Sequence, residues 1–175
     1  DKDYMNLSLK VLKKDFDKGF DLFMEVLTQP TFPEDEIQRE IEKIMAAIES
    51  AEDQPREVGQ KAFQKALFLS TPYGHPIEGT KGSVPRLNRE ALVGFYRSYY
   101  HPNNSVLAVV GDITPEEVKT KLLTRLEQWP LANLAEPSFP KEYSLEQKTI
   151  TIHRDISQAN IILGHVGVKR ANPDY

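Results

Sequence analysis

The sequence contains no cysteine, which excludes disulfide bonds and metal sites built on thiolates. It has no run of about eighteen apolar residues, so no segment is predicted to cross a membrane as a helix. The net charge is -4 and no basic patch stands out, which argues against nucleic-acid binding. A GxGxxG motif and a Gly-Lys-Ser/Thr motif are both absent, which excludes these two kinds of phosphate-binding loop.

The composition that remains is typical of a globular protein. Of the 175 residues, 39% are hydrophobic and 27% are charged, enough for one domain with a real core. The sequence opens on Asp1-Lys2-Asp3 without an initiating methionine or a signal peptide, and it closes on 172–175 directly after a strand-like run. Neither end has the features of a natural chain terminus, so the sequence is expected to be a fragment of a longer polypeptide.

The stretch 32–55 predicts one long amphipathic helix. Pro33 suits a first helical turn, and the acidic residues 34–36 lie where the helix dipole favours negative charge. Four isoleucines recur at the spacing of one helical face: Ile37, Ile41, Ile44 and Ile48. Glu40 and Ala47, close to two turns apart, are expected to be half-buried on the flank of this face, where they could line a cleft. Taken alone, Glu40 is an ordinary solvated helix carboxylate.

Helices and strands are predicted to occupy most of the remaining sequence. Helical spacing and caps predict four further helices, at 16–28, 55–69, 89–100 and after the capping box that begins at Thr114. Four segments have strand patterns, of which the second is expected to be buried on both faces: 5–11, 105–110, 148–154 and 159–166. The predicted fold class is α+β, with helices layered on one face of an antiparallel or mixed sheet.

Three histidines are candidates for metal ligands. His75 lies in a loop rich in glycine and proline (70–82), but no second ligand lies at a zinc-site spacing. His153 and His165 fall on neighbouring predicted strands and could bind a metal across them. Ordinary polar strand positions explain these two residues better, because a zinc site needs a third ligand.

Several motifs resemble the pitrilysin/insulinase-type zinc metallopeptidases, a family that includes the mitochondrial processing peptidase and the core subunits of the respiratory bc1 complex. One stretch resembles a characteristic loop of that family: Pro72-Tyr73-Gly74-His75-Pro76 followed by Glu78-Gly79-Thr80. Further similar stretches follow in the family's order: 92–100, 101–104, 106–112, 129–130, 158–163 and 170–175. The resemblance covers essentially the whole chain.

The resemblance implies paired α+β units that enclose a chamber where a peptide is held. It also implies hydrolysis of a peptide bond by a zinc-bound water. The zinc is held by two histidines of an H-x-x-E-H helix and by one downstream glutamate, and the glutamate of the H-x-x-E-H helix is the general base. This sequence contains no H-x-x-E-H and begins after the place where that motif would lie. Residues 1–130 are expected to be the main part of one such unit, without its N-terminal strands and zinc-motif helix. A linker at 131–147 and the first strands of a second unit at 148–175 are expected to follow.

The expected position of the third zinc ligand is present in this sequence and holds an alanine. In catalytic members the ligand lies five residues before a Glu-Asp pair and seven after an auxiliary glutamate. Here the pair is Glu52-Asp53, the auxiliary carboxylate is Glu40, and the ligand position is Ala47, whose methyl group cannot coordinate zinc. Glu49 lies about 200° away around the helix and is a poor substitute. No catalytic, cofactor-binding or metal-binding residue is therefore expected in this fragment, apart from Glu40 as a possible auxiliary carboxylate.

The sequence thus predicts a non-catalytic, partner-type unit of this peptidase family. Its expected partners are a peptide or unfolded protein and either a zinc-bearing family partner or a second copy of itself. One alternative is an active zinc endopeptidase whose H-x-x-E-H lies outside this fragment, and another is a structural core-type subunit of a membrane complex. The fragment itself is expected to be inactive, and its compartment stays open, with a bacterial-type cytoplasm or periplasm expected.

Overall fold

The computed structural model describes residues 2–68, 71–127, 129–134, 146–169 and 172–174. Within these ranges the chain forms five α-helices: α1 (Phe16–Thr28), α2 (Glu34–Glu52), α3 (Pro55–Phe68), α4 (Arg89–Tyr99) and α5 (Pro115–Leu126). Short 3₁₀ turns occur at Lys13–Asp15, Pro72–Gly74, Val84–Arg86 and Pro102–Asn104. Each of the five α-helices lies where helical periodicity predicted one.

The predicted α+β fold is wrong, because none of the described residues forms a β-strand. The four segments predicted as strands have no helical or strand assignment, and no backbone hydrogen bond joins one to another in the described ranges. Alternation of side chains sets which residues share a face, but a sheet also needs a second backbone to complete the hydrogen bonds. Val106 and Val110 are 99% and 98% exposed, so the segment 105–110 is not buried on both faces as predicted.

Local sequence features account for where the helices begin. The Thr114 hydroxyl accepts a hydrogen bond from the Glu117 amide at 3.2 Å, and the Glu117 carboxylate accepts one from the Thr114 amide at 2.9 Å. This capping box satisfies amides that the first turn of α5 would leave unpaired. At α4, the side chain of Asn88 accepts a hydrogen bond from the Ala91 amide at 2.9 Å.

The contacts divide the chain into two compact units. The first unit comprises Asp1–Asp3, Glu40–Arg86 and Pro137–Tyr175, and the second comprises Tyr4–Arg39 and Leu87–Glu136. Helix α2 contributes residues to both units. These two units are defined by contacts and differ from the predicted division into a first family unit (1–130), a linker (131–147) and the start of a second family unit (148–175). That division stays a prediction. Much of the predicted linker, and part of the last family motif, lie outside the described residues.

The first unit contains α3 and most of α2. Ile48 of α2 is buried, and the other isoleucines of this helix are half-buried. Gly164 lies against the ring of Phe63 on α3, where an added Cβ would approach the ring Cζ to 2.8 Å. The lack of a side chain at this glycine therefore lets the segment 159–166 pass close to α3.

The second unit contains α1, α4 and α5. The Tyr96 hydroxyl on α4 donates a hydrogen bond to the Leu27 carbonyl of α1 at 2.8 Å, and the Phe32 ring meets the Tyr96 ring edge-on. Two ion pairs join α1 to α5: Asp17–Lys121 and Asp21–Arg125. In the described part of the chain, no helix combines the length and the apolarity needed to cross a bilayer.

Candidate functional site

The candidate zinc-ligand position lies on the exposed surface of α2. Ala47 and Glu40 are both exposed rather than half-buried, so neither lines a cleft. The Glu40 carboxylate accepts a hydrogen bond from the Lys43 ammonium at 2.5 Å, one turn along the helix. Across the described ranges, no three His, Cys, Asp or Glu side chains are grouped so that they could hold a metal ion. The residues present at this position do not fit a zinc ion.

The C-terminal end of α2 is acidic, and one of its carboxylates forms an ion pair with a lysine from a distant part of the sequence. Glu49, Glu52 and Asp53 lie at or near the negative end of the helix dipole, and the last turn of α2 contains no basic residue. The Lys81 ammonium donates a hydrogen bond to the Glu52 carboxylate at 2.7 Å. This bond holds the pKa of Glu52 below its ordinary value. The pKa of Lys81 is raised, chiefly by the same bond and also by the negative charges around it.

Lys81 belongs to the loop that carries the family motif, which we call the Gly/Pro loop (residues 71–82). A second ion pair fixes this loop to α3, because the Lys61 ammonium lies 2.8 Å from the Glu78 carboxylate. The hydrogen bond from Lys61 is the main reason that the pKa of Glu78 is lowered. The Gly/Pro loop is therefore attached to α2 by Lys81 and to α3 by Glu78.

Local turn chemistry also shapes the Gly/Pro loop. Gly79 has a φ of +83°, and an added Cβ there would approach the buried Val84 side chain to 2.7 Å. The Thr80 amide donates to the Ser83 hydroxyl at 2.9 Å, and the Ser83 amide donates to the Thr80 hydroxyl at 3.1 Å. His75 is exposed. The motif residues Gly79 and Thr80 thus join two turns, because the Gly79 amide donates to the Pro76 carbonyl at 3.2 Å and the Ser83 amide donates to the Thr80 carbonyl at 3.0 Å.

An apolar groove lies along α5 in the second unit. It has a volume of about 700 Å³ and runs between the segment 107–113 and one face of the helix. Leu107 and Val109 face the groove and are about half exposed, whereas the neighbouring Val106 and Val110 are almost fully exposed. Side chains of α5 form the opposite wall: Val118, Leu122, Leu123 and Leu126. Two side chains of the apolar run 105–110 thus line this groove, whereas the run was predicted to be a strand buried on both faces.

The remaining histidines do not form a metal site in the described structure. His153 and His165 are exposed, and the strands that were to bring them together are absent from the described ranges. Nδ1 of His165 lies 2.8 Å from the carbonyl oxygen of Val166. His101, which the sequence analysis did not single out, is the buried histidine of the described chain. Its ring contacts two backbone carbonyls, and no pattern in the sequence indicated those contacts.

Comparison with known proteins assigns the family. Residues 86–175 match the family model described as "Peptidase M16 inactive domain". Residues 1–81 match the model described as "Insulinase (Peptidase family M16)". The chain belongs to peptidase family M16. The predicted membership of the pitrilysin/insulinase-type family is therefore confirmed, and zinc is the metal named for proteases of this family.

Three curated relatives of this M16 chain are matched along nearly the whole chain but over only 36% to 40% of their own length. An "Uncharacterized zinc protease" of Rickettsia bellii is 26% identical over 166 residues, covering 93% of the chain and 39% of that relative. The "Uncharacterized zinc protease YmxG" of Bacillus subtilis is 25% identical over 176 residues, covering 96% and 40%. The mitochondrial-processing peptidase subunit beta of Neurospora crassa is 26% identical over 170 residues, covering 95% and 36%. The M16 chain thus spans about two fifths of the length of these relatives.

One solved structure at 28% identity is described by the same family name, and a second resembles the chain in fold. A crystal structure of a peptidase M16 inactive domain from Pseudomonas fluorescens matches with a TM-score of 0.61 and 28% identity, covering 74% of this chain and 32% of that chain. A putative M16-like peptidase from Alicyclobacillus acidocaldarius matches with a TM-score of 0.58 and 20% identity, covering 75% and 30%. The second match, at its low identity, supports the similarity of fold alone.

Proposed function

We propose that this chain is part of a non-catalytic, partner-type M16 unit that binds a peptide or unfolded protein beside a zinc-bearing partner of the same family. The observation that carries the proposal is Ala47, which occupies the position expected for the third zinc ligand. A catalytic zinc site uses three protein ligands and leaves the fourth position for water. A methyl group at one ligand position leaves two, so the water that attacks the peptide bond has to be activated on the partner.

Two further observations support this proposal. The family model that matches residues 86–175 is described as an inactive domain. Relatives from Arabidopsis thaliana and Neurospora crassa are called subunits of the mitochondrial-processing peptidase, which is consistent with a protein that works as one component of an assembly.

An active zinc endopeptidase is the second candidate function. It is favoured by the match of residues 1–81 to the insulinase model and by relatives called zinc proteases. In this case the H-x-x-E-H motif lies elsewhere in the parent polypeptide and Ala47 is not the ligand position. The other alternative, a core-type subunit of a membrane complex, finds no support in the names of the relatives given above.

Zinc content and peptide cleavage of the parent protein distinguish the two candidates. For a partner-type unit we expect far less than one zinc per polypeptide and no cleavage of peptides by the purified protein alone. Cleavage should appear when a zinc-bearing M16 partner is added. One zinc per polypeptide together with cleavage in the absence of a partner would overturn the proposal.

The position of Ala47 can be tested separately by substitution. In a parent protein that carries H-x-x-E-H, Ala47→Glu should raise the zinc content toward one per polypeptide, because it supplies the missing carboxylate. Ala46→Glu is the matched control, since Ala46 is also exposed on α2 but points about 100° away around the helix. Equal zinc contents in the two variants would show that Ala47 is not the ligand position.

A further inference from the structure

The backbone of the segment 105–110 is extended and has no backbone partner in the described part of the chain. Ser105, at its start, has a φ of −128° and a ψ of 146°. No backbone hydrogen bond joins the amides and carbonyls of residues 106–110 to another described residue. Val106 and Val110 are 99% and 98% exposed, so their peptide groups are open to solvent. Accessible, unpaired peptide groups in an extended segment are a template for a second extended backbone.

The side chains of this segment alternate between the groove along α5 and solvent, as side chains do along a strand. Leu107 and Val109 line the groove and are 48% and 44% exposed. Val106 and Val110 do not line it. The groove therefore adjoins the same stretch of backbone whose hydrogen bonds are unmade. A backbone that pairs with residues 106–110 can place its own alternate side chains in the groove.

The groove carries one charge of each sign along α5. Lys119 lies about one turn after the start of α5, and Glu127 directly follows its last residue. Both side chains line the groove, and the lining residues of α5 between them are leucines. Helix α5 has 12 residues and is therefore about 18 Å long, which an extended peptide of about seven residues matches. The occupant that fits is apolar in the middle, acidic at one end and basic at the other.

We propose that the groove along α5 is a binding site for such an extended peptide, which adds to the segment 105–110 as a neighbouring strand. The backbone of the peptide pairs with the open peptide groups of residues 106–110, and its alternate apolar side chains enter the groove. Its acidic end pairs with Lys119 and its basic end with Glu127. The inference rests on the proposed function, since it names a place on this chain where the peptide binds.

A capped, fluorescein-labelled peptide with the sequence Glu-Thr-Val-Thr-Val-Thr-Lys is the probe, and fluorescence anisotropy measures its binding to the full 175-residue chain. Two further probes carry N-methyl groups on alternate peptide nitrogens, each on a different set. Alternate amides of a strand face the same neighbour, so one methylated probe should bind like the unmethylated probe and the other roughly tenfold more weakly. Equal affinities of the two methylated probes would contradict pairing with the segment 105–110.

The same measurement decides between this peptide and other occupants of the groove. No binding of the unmethylated probe would overturn the proposal, and light scattering then shows whether a second copy of the chain fills the groove. Binding by the 175-residue chain but not by the parent protein would assign the groove to a segment of the parent polypeptide and would also overturn the proposal.

Leu123→Gln tests the apolar wall of the groove. Leu123 lines the groove and is 53% exposed, so the substitution should leave the chain folded. Leu22→Gln is the matched control, because Leu22 on α1 is 54% exposed and does not line the groove. We expect Leu123→Gln to bind the probe roughly fivefold more weakly and Leu22→Gln to bind it like the wild type. Equal affinities in the two variants would overturn this site and would leave the peptide binding of the proposed function in place.

A charge exchange tests the assignment of the two ends of the peptide. Lys119→Glu should weaken binding of the probe roughly two- to fivefold, the range open to an exposed ion pair. A probe with lysine in place of its glutamate should bind Lys119→Glu better than it binds the wild type. A lysine probe that prefers the wild type would show that the acidic end of the peptide does not lie at Lys119.

Discussion

At the scale of single residues, Lys81 attaches the Gly/Pro loop to the C-terminal end of α2. It places a positive charge at the acidic end of α2, where the helix supplies no basic residue of its own. The sequence contains both the family motif in this loop and the Glu52-Asp53 pair, but nothing in the sequence indicates that the two are in contact. Lys81 and Glu52 are far apart in the chain, and a pairing over that distance leaves no periodic pattern in the sequence.

Replacing Lys81 should loosen the Gly/Pro loop. In Lys81→Met we expect the amides of Ser83 and Val84 to exchange hydrogen roughly two- to fivefold faster, the range open to an exposed ion pair. Lys65→Met, at an exposed lysine of α3, should leave these rates unchanged. Hydrogen exchange followed by NMR measures both variants. Equal rates in Lys81→Met and the wild type would show that the ion pair does not hold the loop.

The same ion pair predicts a dependence on pH whose sign is fixed. The pKa of Glu52 is lowered in the folded chain, so its contribution is present at pH values above the ordinary carboxylate range. That contribution is lost as the pH falls through the lowered pKa. At neutral pH the Ser83 amide should therefore exchange more slowly in the wild type than in Lys81→Met. As the pH falls, this difference between the two variants should shrink until their exchange rates are equal.

At the scale of elements, the helices could be predicted and the strands could not, for a physical reason. The capping box of α5 is complete within four consecutive residues, so the sequence alone determines it. The segment 105–110 has the apolar pattern of a strand, but whether a strand forms depends on a distant backbone that the pattern does not specify. In the described structure that partner is absent, and the same side chains instead border the groove along α5.

The cap of α5 gives a prediction at this scale. Thr114→Ala removes the hydroxyl that accepts from the Glu117 amide and should destabilise the second unit by about 1 kcal/mol. Thr120→Ala is the matched control, because Thr120 lies inside the same helix, where alanine is the better helix former. Urea unfolding followed by circular dichroism measures both. A Thr114→Ala variant as stable as Thr120→Ala would mean that the capping box does not stabilise the helix.

At the scale of the whole molecule, family membership could be predicted more reliably than the fold class. The motifs that carry the resemblance are runs of neighbouring residues, so they can be recognised without any knowledge of tertiary contacts. Burial depends on those contacts, and among the described residues few apolar side chains are buried: Met24, Ile48 and Val84. Val106 and Val110, which were predicted to be buried, are instead almost fully exposed, and Ile161 and Leu163 of the predicted strand 159–166 are highly exposed as well. The zinc-ligand position stays a prediction, because it depends on the register of the family motif on α2.

These exposed apolar side chains should make the isolated chain prone to self-association. The segment 105–110 combines high β propensity with no charged residue, which is the composition of aggregation-prone segments. We expect Val106→Lys/Val110→Lys to reduce concentration-dependent association, measured by light scattering, with little change in urea midpoint because both side chains are almost fully exposed. Leu107→Lys is the neighbouring control and should lower the urea midpoint, since Leu107 packs along the α5 groove. Unchanged association in the double variant would show that this surface does not drive it.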